Sequence, residues 1–161
     1  LMKNNVHKIF YCLIIILIIV VDQIVKYLSV VFLKPVSTIP VLDGVFHLTY
    51  CENTGAAFSI FEGARWFFII ITSLFVIFIL FLVFSGRVQS VVGSYLLSVV
   101  AAGGIGNLID RIYQGYVVDM FDFRLINFAI FNVADIAVTC GGIAFVILYF
   151  VKKGEIIKWK R

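Results

Sequence analysis

The chain has 161 residues, 63% of them hydrophobic and only 14% charged, whereas a soluble domain has about 45–50% and about 25%. That balance marks an integral membrane protein, with room for four spans and short connections in a single domain over residues 1-161. The formal net charge of +4 sits at the ends of apolar runs, as anchoring to lipid head groups requires, and no soluble basic face is left for nucleic acid.

Three cysteines, Cys12, Cys51 and Cys140, make an odd count without a C-x-x-C pair, so neither a disulfide framework nor a thiolate metal site is indicated. The two histidines, His7 and His47, are far apart in sequence, and no metal or other cofactor is implied. Cys51 as a nucleophile would need His47 as its base.

After a short basic stretch, Lys3 to Lys8, the sequence is apolar from Ile9 to Val21 and again from Ile24 to Leu33. No small-x-small cleavage site follows, so this reads as an uncleaved first span over about 9-33 rather than a secretory signal peptide. Asp22 and Lys26 are four apart on one helix face and are expected to form a structural ion pair. Residues 34-63 break the pattern. Thr38 to Leu42, Asp43-Gly44, and Val45 to Tyr50 predict a β-hairpin with a type I′ turn, a small sheet lying on the membrane surface. Asn53-Thr54-Gly55-Ala56-Ala57-Phe58-Ser59 then reads as a small-residue turn carrying one amide side chain.

The second span is expected over 66-84, the third over 91-109 and the fourth over 133-151; about 19 residues rise roughly 28 Å, enough to cross a bilayer. The third span carries Ala101-Ala102-Gly103-Gly104-Ile105-Gly106, small residues that admit close backbone approach and place it at the bundle centre. An apolar partner helix could also lie against that face. Asn107, Asp110 and Arg111 follow at three- and four-residue spacing. Tyr116 to Phe121 reads as an extended segment beside the hairpin.

The basic residues set orientation. Lys3, Lys8, Arg87, Lys152, Lys153, Lys158, Lys160 and Arg161 fall on one side, and only Lys34, Arg65, Arg111 and Arg124 on the other. Both termini are therefore expected in the cytoplasm. Asn107, Asp110, Arg111, Asp119, Asn132 and Asp135 then crowd into one outer-leaflet zone.

A carboxylate at membrane depth costs about 2.5–3.5 kcal/mol on insertion scales, so Asp119 and Asp135 call for a reason. Two carboxylates sharing one proton can hydrolyse a peptide bond, one activating water and the other polarising the carbonyl. Paired membrane carboxylates equally serve a proton- or ion-coupled transporter. Asn132 has the chemistry of a helix N-cap, which puts Asp135 in the first turn, where the helix dipole favours its charge. Asp119 lies among Tyr116, Val117, Val118, Met120 and Phe121, so the proton is expected there, with Asp135 the base.

Five blocks in order carry a resemblance: Asp22-Gln23-x-x-Lys26, Asn53-Thr54-Gly55-Ala56-Ala57-Phe58, Gly103-Gly104-x-Gly106-Asn107-x-x-Asp110-Arg111, Val118-Asp119, and Phe131-Asn132-x-Ala134-Asp135. With them the chain resembles the bacterial lipoprotein signal peptidases, also called signal peptidase II. The resemblance implies a membrane α-helical fold of four transmembrane helices with a small outer β-sheet as a cradle. It also implies an aspartic endopeptidase of the bacterial cytoplasmic membrane that removes signal peptides from diacylglyceryl-modified prolipoproteins, just before the lipid-modified cysteine. Asp119 and Asp135 match the catalytic pair, Asn107 and Arg111 substrate-backbone contacts, and Asn53, Asp110 and Asn132 supporting polar residues. The family's inhibitors include cyclic peptide antibiotics such as globomycin. Many members carry a Trp-Pro pair before the last block, where this chain reads Ile126-Asn127-Phe128-Ala129-Ile130.

Overall fold

A computed structural model describes residues 2–55, 61–152, 154 and 156–158. Ala56, Ala57, Phe58 and Ser59 of the small-residue turn, and Lys153, Lys160 and Arg161 of the basic tail, lie outside the described residues. In chain order the elements are α1 (Met2–Leu28), β1 (Thr38–Leu42), β2 (Phe46–Asn53), α2 (Arg65–Phe84), α3 (Val91–Tyr113), β3 (Val117–Phe123) and α4 (Val133–Val151). Four of these helices are long and apolar enough to cross a membrane.

The third helix is the axis of the assembly. In α3, 56% of the spanning window is buried, against 17%, 22% and 17% in the other three. Its small residues explain why. A Cβ on Gly103 would run into the carbonyl oxygen of Ala134 in α4, one on Gly104 would lie 2.8 Å from Val76 in α2, and one on Gly106 would lie 2.6 Å from Asp22 in α1. The small face is thus filled by α1, α2 and α4, and the expectation of a further apolar helix on it does not hold. Large side chains such as Leu13, Leu17, Phe78 and Ile147 point outward and are exposed, as lipid-facing surface requires.

Helix ends differ from the sequence reading in α1 and α3. The first helix begins at Met2 and continues beyond Leu28 as a π-helical turn, Ser29–Leu33. The third helix runs to Tyr113, four residues past the expected end, because Arg65 donates to the carbonyls of Arg111 and Ile112, both at 2.7 Å, and satisfies its last turn. Ser90 caps its start, accepting from Gly93 N at 3.1 Å.

The three strands form one antiparallel sheet in the order β1-β2-β3. Thr38 faces Thr49 across the first pair, and Cys51 faces Asp119 across the second. The expected type I′ turn is not formed. Asp43 keeps a negative φ, and only Gly44, at +69°, takes the left-handed region, so the turn closed by Val45 N to Leu42 O (3.0 Å) follows the type II pattern. At the opposite end of the bundle the tail returns to the α2–α3 loop, with Val88 bridged to Ile157 and Gln89 N donating to Ile156 O at 2.8 Å.

Candidate active site

Asp119 arrives on β3, held by pairing with β2 and packed between Val118 and Met120, both essentially without exposure; Asp119 itself is 1% exposed. Asp135 arrives on the first turn of α4. Asn132 caps that helix as its sequence chemistry suggests. Its Oδ1 accepts from Asp135 N at 2.9 Å, while its own N–H donates to Asp135 Oδ2 at 3.1 Å, a reciprocal capping box.

Asparagines then connect the two aspartates. Asn132 Nδ2 donates to Asp119 Oδ1 at 2.6 Å, and Asn53 Nδ2 donates to Asp119 Oδ2 at 2.9 Å. Asn107 Nδ2 donates to Asp135 Oδ1 at 2.7 Å. All four carboxylate oxygens therefore accept a hydrogen bond. Asn53 is itself fixed, its Oδ1 accepting from Gly55 N at 2.9 Å. Arg111 lies along the same wall. Its Nη2 donates to Gly55 O at 2.9 Å, and its guanidinium sits 4.9 Å from the centre of the Phe68 ring.

Burial, and next the charge of Asp135, push the Asp119 carboxyl up to about 7, against the opposing hydrogen bonds from Asn53 and Asn132. Asp119 is the one of the pair without a helix terminus to favour its charge. Burial and the neighbouring Asp119 charge also push the Cys51 thiol up, which disfavours a thiolate nucleophile. His47 cannot serve it either: its Nε2 accepts from Gly44 N at 3.2 Å in the hairpin turn.

A cavity of about 510 Å³ opens onto both aspartates. Asn53, Asn107, Arg111, Asp119 and Asp135 line it, whereas Asn132, Asp110, Asp22 and Lys26 stand behind them. Asn107 is more engaged than a free substrate contact. Its Oδ1 accepts from Lys26 at 2.9 Å and from Asn132 at 3.1 Å, leaving its second Nδ2 hydrogen for a ligand. The Asp22–Lys26 pair forms at 2.9 Å, and Lys26 also reaches Asp110 at 2.8 Å. Sequence reasoning did not single out Phe68, Thr72, Thr139 and Cys140 as cavity residues. Thr139 stands one turn below Asp135 and could have been found by that spacing. The segment that replaces the Trp-Pro pair forms the rim, through Phe128, Ala129 and Ile130.

The family model for signal peptidase (SPase) II matches residues 14–151. The lipoprotein signal peptidase of Clostridioides difficile is 42% identical over 147 residues, covering 90% of this chain and 99% of the relative. That of Brevibacillus brevis is 48% identical over 132 residues, covering 81% and 88%. A solved bacterial membrane enzyme superposes with a TM-score of 0.81 at 30% identity, over 94% of this chain and 93% of the other. With the match spanning all four helices and both aspartates, the chain belongs to the signal peptidase II family of membrane peptidases.

Proposed function

We propose that this protein is an aspartic endopeptidase that removes the signal peptides of diacylglyceryl-modified prolipoproteins, with Asp119 and Asp135 as its catalytic pair. The observation that carries the reading is the convergence of two carboxylates, the buried Asp119 from β3 and the half-buried Asp135 from the mouth of α4, on one cavity. Asp135 takes a proton from water, whose oxygen attacks the scissile carbonyl carbon. Asp119, protonated up to about pH 7, gives its proton to the carbonyl oxygen. The resulting gem-diol returns a proton to Asp119 while Asp135 protonates the departing amide nitrogen, and the carbon–nitrogen bond breaks. Arg111, with one arm on Gly55 O, has further donors for substrate carbonyl oxygens.

Asp119 and Asp135 share one end of the bundle with the sheet, and Lys8, Arg87, Lys152 and Lys158 lie at the other, the end to which the sequence assigns the larger share of lysine and arginine. This supports a bacterial cytoplasmic-membrane protein with its site toward the outer face. A lipid-anchored cysteine keeps its acyl chains in the bilayer and so presents the bond before it at that depth. Cyclic peptides such as globomycin would occupy the same cavity. Family membership sets aside the proton- or ion-coupled transporter.

The test is to incubate purified protein with a diacylglyceryl-modified prolipoprotein and with its unmodified form. A shortened product from the modified form alone is expected. Equal cleavage of both would remove the lipid from the recognition scheme.

A further inference from the structure

Beneath the dyad lies a buried charge cluster to which the mechanism above gives no task. Lys26 is 2% exposed, and Asp22 and Asp110 are 0% exposed. An ammonium group has three hydrogens and no acceptor. Lys26 Nζ meets three oxygens, Asp22 Oδ2 at 2.9 Å, Asp110 Oδ2 at 2.8 Å and Asn107 Oδ1 at 2.9 Å, so every donor is used.

Each contact leads to an aspartate. The atom that Asn107 turns to an ammonium must be its oxygen, which forces Nδ2 to the far side, where it donates to Asp135 Oδ1. Turned over, the carboxamide would present oxygen to oxygen at Asp135. Asp110 Oδ2 also accepts from the N–H of Val118, the residue before Asp119, at 3.3 Å. Asp22 Oδ1 accepts from the N–H of Ala134, the residue before Asp135, at 2.9 Å. One lysine therefore stands behind the backbone beside each aspartate and behind the amide that touches one of them.

Lys26 is not the sole tie between the two helices: Gln23 Nε2 also bridges Asp22 Oδ2 at 3.2 Å and Asp110 Oδ1 at 3.0 Å and reaches Gly106 O at 3.3 Å. Its uncharged amide leaves the two buried carboxylates for Lys26 to balance. We propose that Lys26 is a positioning residue of the dyad. It selects the orientation of the Asn107 amide toward Asp135 and, through Asp110 and Asp22, fixes the backbone that carries Asp119 and Asp135. This rests on the dyad reading given above. The charged and titratable groups shown to act on Asp119 are Lys26 on α1, Cys51 on β2, Arg111 on α3 and Asp135 on α4, with Asp22 and Asp110 paired to Lys26 behind them. Among them the Lys26 charge lowers the proton affinity of Asp119, so its removal moves that titration upward.

The test uses the full chain in detergent with a diacylglyceryl-modified prolipoprotein and compares Lys26→Met with the double variant Lys26→Met/Asp22→Asn. The double variant removes one charge of each sign, keeps the net charge of the cluster and spares the fold an additional unpaired carboxylate; it carries the kcat readout where the single variant fails to accumulate. Expected is a fall in kcat per folded molecule of about 10- to 100-fold with KM changed by less than about twofold. In Lys26→Met the alkaline limb of the pH–rate profile also moves to higher pH. Unchanged kcat per folded molecule, with the profile unmoved, would overturn the proposal and leave Lys26 a tie between helices. Asp119→Asn, run beside them, separates the two levels: normal turnover by that control would overturn the dyad reading itself.

Discussion

Replacing Asp119 with asparagine should make the protein more stable in base while removing its activity. The Asp119 carboxyl is raised from 3.8 to about 7 by burial and by Asp135. Three units at 1.36 kcal/mol each give about 4 kcal/mol of native-state stability at stake. The sign follows from linkage: between the unfolded and folded values the native state binds the extra proton, so stability falls as pH rises from about 4 to about 7 and is level above. Asparagine removes that loss. It also turns one amide N–H₂ toward Asn53 or Asn132, whose Nδ2 groups now donate at 2.9 and 2.6 Å, at a cost of about 1–3 kcal/mol that does not vary with pH. Between pH 5 and pH 9 the stability of Asp119→Asn relative to the parent should therefore rise by about 3 kcal/mol, or about 6–12 °C in Tm for a chain of this size. The assay is thermal unfolding in one detergent at fixed ionic strength, followed by tryptophan fluorescence at both pH values. A difference between variant and parent that is the same at pH 5 and pH 9 would refute the reasoning, since it would mean that Asp119 titrates alike folded and unfolded.

Two further expectations follow from the same wall of the cavity. Arg111→Lys should lower kcat/KM about 30-fold, or about 2 kcal/mol, because a point charge cannot hold Gly55 O and stack on Phe68 together; steady-state kinetics at parental efficiency would show that charge alone suffices. Gly103→Ala should cost about 1–3 kcal/mol in thermal unfolding, because the new methyl meets the Ala134 backbone oxygen, which cannot rotate away like a side chain. A parental Tm would show slack between α3 and α4.

Much of this arrangement was legible in the chain because its elements declare themselves locally. Hydropathy marks an apolar run at Val133–Val151, where the structure has the helix α4, and the small residues of Ala101–Gly106 point to the central helix. The N-cap at Asn132 could be read from one side chain and the apolar run after it. What escaped depends on partners distant in sequence. Helix spacing showed the Asp22–Lys26 pair but not Asp110, which lies on another helix and turns the pair into a cluster. Asn107 read as a polar residue at a helix end, whereas Lys26 and Asn132 fix its oxygen and Asp135 takes one hydrogen. Arg65 lengthens the third helix from the start of the second, a contact that no local pattern encodes. Phe68, Thr72 and Cys140 look like ordinary span residues until α2 and α4 bring them to one cavity.

The central claim is that Asp119 and Asp135 together perform the hydrolysis. Its most direct measurement is single-turnover cleavage of a diacylglyceryl-modified prolipoprotein by purified Asp119→Asn and Asp135→Asn, each first shown by thermal unfolding to be folded. The account expects no shortened product from either variant, with the parent converting substrate fully under the same conditions. Normal cleavage by either folded variant would contradict it.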